Sequence, residues 1–231
     1  TMLEGAGLTI LIVFLFLNSW RSTVITGLTL PIAILATFFF MDMASVTINM
    51  VSLMALSLAV GVSVLQGLVG IGARAVQLKW PNDLVVDGGK LGGILIEMRP
   101  AGPGAYVVIG IGINLSLSAA VRAEIAALGG LEPRDLTDAG LAHAGEVEVG
   151  ARIVEVLLEA LGRFSLEGFA AFRESWLQFD SLKGQTVEWV QEGERLTGIA
   201  CGIAPDGALL VDRAGIIEHL VAGEVTLRRA A

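Results

Sequence analysis

Three apolar runs open the chain, and a different alternation of hydrophobic and polar positions follows them. Leu8 to Trp20 is apolar on every face and, with Met2 to Gly7 before it, reaches about the twenty residues that a bilayer-crossing helix requires. Thr23 to Met41 is a second such run with Pro31 inside it, and Ile48 to Val64 a third. A proline kinks a spanning helix without forbidding it, because neighbouring helices satisfy the freed backbone groups. From Leu56 to Gly72 a helix is expected, and Val76 to Trp80 reads as a short buried strand. A second strand opens at Lys90, and the apolar run Tyr106 to Ile113 reads as a central strand. Helical periodicity returns over Ser118 to Leu128, Ala151 to Phe164 and Gly168 to Phe179, the middle one with a broad apolar face. Beyond Asp180 come five short strands, at Gln185–Gln191, Arg195–Ile203, Ala208–Val211, Ile216–Leu220 and Glu224–Leu227, separated by turn residues. So many strands in so short a stretch predict a small barrel.

Composition sharpens this division. Of 231 residues, 54% are hydrophobic, and mean hydropathy is +0.74; the apolar share of ordinary domains is about 45–50%. The excess is local, since Arg21 and Asp42 are the charged residues between Gly5 and Ala73. With Glu4, Arg21 and Asp42 set aside, 14 basic and 21 acidic residues remain from Arg74 onward, a net charge of −7. Such a charge repels nucleic acid, and no DNA or RNA partner is expected. Cys201 stands alone, which excludes an intrachain disulfide, and His143 and His219 are too few to suggest a metal cluster. A reducing cytosol suits this composition. No basic segment precedes the first apolar run and no small-residue cleavage site follows it, so a membrane helix fits better than a signal peptide. Arg21, in the turn between the first two runs, places that turn in the cytoplasm and so returns everything after the third run to the cytoplasm.

Candidate chemistry gathers between Lys79 and Asn114. Lys79-Trp80-Pro81-Asn82-Asp83 is followed, after an Asp87-Gly88-Gly89 turn, by Lys90-Leu91-Gly92-Gly93-Ile94-Leu95-Ile96-Glu97. Two lysines, a carboxylate and an amide beside a glycine pair suit an anionic ligand. Gly92 and Gly93 leave room for a ligand or another backbone to come close. Lys90 alone fits a solvated surface as well as a site. Asn82 and Asp83 fit a turn cap equally, and Trp80 reads as core. Gly110-x-Gly112-x-Asn114 ends the apolar run, but no third glycine or immediate helix makes it a dinucleotide fingerprint. The loop from Gly129 to Gly150 carries no usable motif.

Two resemblances follow from the wording of these segments. Leu15-Phe16-Leu17-Asn18-Ser19-Trp20-Arg21-Ser22-Thr23, Leu30-Pro31-Ile32, Thr37-Phe38 and Ile48 to Leu56 resemble three consecutive transmembrane helices of resistance-nodulation-division efflux transporters, over about residues 3–61. That family relays protons through a pair of aspartates where Leu65 and Gln66 stand here, so proton-coupled transport is not expected. From about residue 56, the sequence resembles the bacterial biotin protein ligases, through KWPND at 79–83, KLGGILIE at 90–97 and VVIGIGINL at 107–115, in order and at family spacing. Both families can claim Ala55 to Gly61, where a junction is expected.

The ligase resemblance implies an α+β chain: a partial class II synthetase-like catalytic domain over 62–180 and an SH3-like β-barrel over 181–231, preceded by a hydrophobic segment of three transmembrane-like helices over 1–61. It implies MgATP-dependent activation of biotin to biotinyl-AMP, then transfer to a lysine of a biotin carboxyl carrier domain. Lys90 and Lys79 would be catalytic; Asn82, Asp83, Gly92, Gly93 and Asn114 would bind ligand, with ATP, biotin and Mg2+ as cofactors and a homodimer possible. The ligase part would lie in the cytoplasm, membrane-associated if the first helices insert. That family also carries an arginine-rich loop over the adenylate and a strand holding the biotin ring, and no such run precedes Arg74. Impaired turnover, a sheet with unpaired edges and marginal solubility are therefore expected. The alternative is a non-catalytic membrane-anchored fusion, or a chimera of two unrelated genes.

Overall fold

The computed structural model describes residues 50–101, 104–191, 193–221 and 226–227. The first two apolar runs lie outside the described residues. Two compact units divide the chain, Thr1–Ile48 with Pro100–Tyr106, and Asn49–Arg99 with Val107–Ala231; of the first, only the tips of two strands are described.

Helix α1 spans Met50–Gly70 and takes up the third apolar run from Met50 onward. Ser52–Gly70 is long and apolar enough to cross a membrane, yet 78% of it is buried inside the protein. This corrects the expectation of a third spanning helix: α1 is apolar all round because protein surrounds it, and hydropathy alone does not separate the two cases. Gly61 lets the sheet and a later helix come close, since a Cβ there would lie 3.4 Å from Ile94 and 3.5 Å from Trp176. The helix ends in a Schellman motif. Gly72, at φ +106, donates to the Val69 carbonyl and Ala73 to the Leu68 carbonyl.

The first sheet has the order β1-β2-β3-β4, with β1 at Val76–Lys79, β2 at Asp83–Val86, β3 at Gly89–Ala101 and β4 at Gly104–Ile113. Asp87 and Gly88, both at positive φ, make the two-residue turn joining β2 to β3. The apolar run expected as a central strand is β4, which lies at the edge of the described sheet with Val107 and Val108 exposed. A continuous apolar run marks a strand without telling centre from edge.

Helices α2 (Ala119–Ala127), α3 (Glu146–Glu167) and α4 (Ala170–Phe179) follow. Ser118 caps α2 by accepting from the Val121 N–H. α3 begins five residues before the expected start, where Glu146 and Glu148 occupy its first turn and complement the helix dipole. α1 packs against α3, α4, β1 and β2.

The C-terminal strands form one antiparallel sheet, order β8-β7-β6-β5-β9, with β5 at Thr186–Gln191, β6 at Glu194–Ile203, β7 at Leu209–Arg213, β8 at Ile216–Leu220 and β9 at Thr226–Leu227. Their buried row includes Val187, Trp189, Ala200, Val211 and Leu220. This module is tied to the first sheet and to α4 at several points. Trp80, fully buried as expected, donates from Nε1 to the Gly207 carbonyl at 3.0 Å. The Arg173 guanidinium donates twice to the Ile203 carbonyl, at 3.0 and 2.8 Å, and Ser181 N–H bonds the Leu78 carbonyl.

Candidate functional site

A cavity of about 520 Å³ opens beside the ends of β1, β2, β3 and β4, and its lining includes Lys79, Asp83, Lys90, Gly92, Gly93, Gly112 and Asn114. Asp83 is its pivot. Its Oδ1 lies 2.7 Å from Lys90 Nζ and its Oδ2 4.0 Å from Lys79 Nζ. Lys79 is buried and Asp83 nearly so, whereas the Lys90 side chain is 48% exposed. One carboxylate thus faces two cations, and the cluster keeps a net positive charge for an incoming anion.

A bulge sets this arrangement. Asp83 pairs with Gly93 and Leu84 with Gly92, but Val85 pairs with Lys90, so Leu91 is the extra residue and is buried in the core. In a regular strand Lys90 and Gly93 would point to opposite faces. The bulge brings them together: a Cβ on Gly93 would lie 3.4 Å from Asp83 Oδ1 and 3.6 Å from Lys90 Nζ. Gly93 therefore keeps the space between the charges open. Gly92 serves another backbone instead, for a Cβ there would lie 2.3 Å from the Gly112 carbonyl oxygen.

Asn82 is turned onto the sheet. Its Nδ2 donates to the Ile94 carbonyl at 2.8 Å while its own carbonyl accepts from Ile94 N–H at 2.9 Å, a structural clamp that holds the KWPND turn against β3. Asn114 lines the cavity and braces its wall: Nδ2 donates to the Arg134 carbonyl at 2.8 Å, and the Asn114 carbonyl accepts from Leu136 N–H.

The loop that offered no motif supplies that wall. Gly129, Gly130, Leu131 and Pro133 line the cavity, and the segment around Pro133 extends the sheet beside Lys90. Lys90 N–H donates to the Glu132 carbonyl at 2.7 Å and Arg134 N–H to the Lys90 carbonyl at 2.8 Å. Asp135, 1% exposed, locks the loop by accepting from Leu117 N–H, Thr137 N–H, the Thr137 hydroxyl and Arg122. Burial pushes the Asp135 carboxyl up, but the Thr137 hydroxyl, those N–H groups and the Arg122 charge outweigh it and hold its pKa below the ordinary value. Backbone contacts to Lys90 leave no side-chain signature, which is why the loop was silent in sequence.

Among the described residues no cluster of three or more histidine, cysteine, aspartate or glutamate side chains could hold a metal ion. Asp83 is the one carboxylate among the described lining residues, and both its oxygens face lysines. This donor set does not make a magnesium cage.

Comparison with known proteins agrees with this architecture. Residues 184–228 match the family described as the biotin protein ligase C terminal domain. The bifunctional ligase/repressor BirA of Escherichia coli is 34% identical over 176 residues, which are 76% of this chain and 53% of that protein. The biotin--[acetyl-CoA-carboxylase] ligase of Paracoccus denitrificans is 32% identical over 60% of this chain and 58% of its own. Among solved structures, the biotin protein ligase of Aquifex aeolicus in complex with biotin and ATP superposes with a TM-score of 0.64 at 25% identity, covering 78% of this chain and 73% of that one. The described fold is an α+β biotin ligase-like fold with two antiparallel sheets, and the part of the chain that carries it is a biotin protein ligase homologue. These homologues are enzymes, and the chain spans about half the length of the two ligase sequences it matches. Residues 1–71 match the AcrB/AcrD/AcrF family, and the multidrug resistance protein MdtC of Pectobacterium atrosepticum is 43% identical over 61 residues, 26% of this chain and 6% of that protein.

Proposed function

We propose that the cavity is the anion-handling wall of a biotin-activating site, and the observation that carries this is the pair of lysines sharing Asp83 at its floor. The reaction is attack of a biotin carboxylate oxygen on the α-phosphorus of ATP, with the bond to pyrophosphate breaking, followed by attack of a carrier-domain lysine on the acyl carbon with AMP leaving. Both steps gather negative charge, and preplaced cations lower the barrier most where water is excluded. Lys90 exchanges Asp83 for the ligand's anion, while buried Lys79 supplies a fixed charge behind it. Gly93 leaves the passage between them open. The lining offers magnesium no cage, so in this reading the chain's own contribution to the phosphate charge is the two lysines.

Turnover by this chain is low in this reading. Lys90 is half exposed, so water reaches the charge that must stabilise the transition state. The test incubates the purified chain with biotin, MgATP and a biotin carboxyl carrier domain and reads product with streptavidin. Little or no labelling is expected, while biotin with MgATP should still raise the melting temperature of the wild type and not of Lys90→Ala. Robust labelling that vanishes in Lys90→Ala would overturn the low-turnover part and leave the ligase reading standing; no ligand-induced shift in either protein would sink the site.

A second reading, a fusion of two unrelated genes, is favoured by the transporter-family match running through residue 71, across a helix that here packs under the ligase sheet. Long sequencing reads across the codons for Ala55 to Gln66 are expected to break the gene there, and continuous reads from the source genome would remove this reading.

A further inference from the structure

Helix α2 stands beside the cavity with none of its residues buried, and Val121 and Leu128 are exposed at 40% and 88%. A buried apolar stripe, the usual anchor of a surface helix, is therefore not what holds it. Arg122, near the middle of α2, takes that part. Its Nη1 donates to the Pro133 carbonyl at 3.1 Å, and its Nη2 lies 2.6 Å from Asp135 Oδ2 and 2.9 Å from Asp138 Oδ2. Asp135 reaches back to the entry of the helix by accepting from Leu117 N–H at 2.7 Å. One planar guanidinium thus joins the helix to three oxygens of the 133–138 loop, a geometry that an ammonium cannot reproduce.

The segment it grips is the one that lies along Lys90. The Glu132 carbonyl accepts from Lys90 N–H, and the Arg134 carbonyl accepts from Asn114 Nδ2. Successive carbonyls of an extended segment point to opposite sides, so the Pro133 carbonyl, between these two, turns away from the sheet. Pro133 is buried, and an acceptor there without a partner is costly. Arg122 supplies the partner.

We propose that Arg122 is a positioning residue for the cavity: it holds the Pro133 segment from outside and so fixes where Lys90 and Asn114 stand. The proposal rests on the reading of the cavity as a biotin-activating site. Among the described residues, those that line the cavity do not include Arg122, so it acts through the loop. It also sets the rim. Ile125, Gly129 and Gly130 line the cavity from α2 and the turn that follows it, and both glycines have positive φ. Without the guanidinium, Asp135 keeps its Leu117 and Thr137 donors and the loop keeps its turn. The Pro133 carbonyl and α2 lose their tie.

The test compares the purified full chain with Arg122→Ala, a change that keeps helix propensity, well below either melting temperature. In the variant the amides of Lys90 and Arg134 should exchange hydrogen faster, while that of Ile94, bonded to the Asn82 carbonyl, keeps its rate. The apparent dissociation constant for biotin with MgATP should rise about tenfold. Guanidinium ion at about 50 mM, far below denaturing concentrations, should restore most of that affinity to the variant, and sodium chloride at the same concentration should not. A purely structural loss of stability would not be repaired by so little of a denaturant. Unchanged affinity in Arg122→Ala, exchange that quickens equally at Ile94, or equal rescue by the two salts would overturn the proposal and leave the ligase reading standing. A wild type that binds neither ligand would sink the ligase reading, and this role with it.

Discussion

Two buried aspartates carry opposite electrostatic signs. Asp135 has its pKa lowered, so the stability it contributes is fully present above the unfolded carboxylate value of about 3.9 and is lost as pH falls through the folded value. Asp180 is the reverse. Burial at the junction of α4 and β1 raises its pKa, partly offset by the N–H groups of Leu182 and Lys183 and by the Lys183 charge. Its contribution is therefore greatest below the unfolded value and lost as pH rises through the folded one. In Asp135→Asn an amide N–H would replace the oxygen that accepts from Leu117 and Arg122, setting donor against donor. Thermal unfolding at pH 7 should show a loss of about 2–3 kcal/mol, narrowing towards wild type as the pH drops through the folded value. A loss that stays constant from pH 7 to acid would mean that packing, and not the charge, is what the carboxylate supplies.

At the level of elements, β3 and β4 divide their glycines between fold and site. Gly92 lies against the Gly112 carbonyl, and neither backbone can yield within a paired sheet; Gly92→Ala should cost about 1–3 kcal/mol in denaturant unfolding. A Cβ on Gly112, by contrast, meets nothing within 4 Å, so Gly112→Ala should leave stability unchanged while reducing the ligand-induced shift in melting temperature. Equal losses of stability in the two variants would refute the division. The same strands show what the sequence discloses. The KWPND and KLGGILIE wording gave the family, the turn at 87–88 and the two lysines. It did not disclose the bulge at Leu91, because a strand's alternation cannot say where one residue is left unpaired. Nor did it disclose the Gly129 to Pro133 wall, whose segment meets Lys90 through backbone N–H and carbonyl groups. The third apolar run was misread for a related reason: a helix buried on all sides and a helix in lipid have the same hydropathy, and only the neighbours distinguish them. The five C-terminal strands, each bounded by its own turn residues, were legible almost to the residue.

For the described part of the molecule as a whole, the KWPND turn is also a joint. Lys79 and Asp83 face the cavity while Trp80, between them, reaches away from it to the C-terminal sheet and donates to the Gly207 carbonyl. Gly207, at φ +92, sits in the turn between β6 and β7, where an added Cβ would lie 2.8 Å from Leu58 of α1. The KWPND turn, the core helix and the C-terminal module therefore meet at one glycine, and the module's position is mechanically tied to the lysine pair. Trp80→Phe keeps most of the buried surface and removes the hydrogen bond, leaving a buried carbonyl without that donor. The expected cost is about 1–3 kcal/mol, read as a lower midpoint in urea. If the joint transmits position, hydrogen exchange should quicken both in the turn after β6 and in the amides of the 79–83 turn, at opposite ends of the lost bond. Faster exchange confined to the C-terminal sheet would show that the module hangs on the ligase fold without steadying its site.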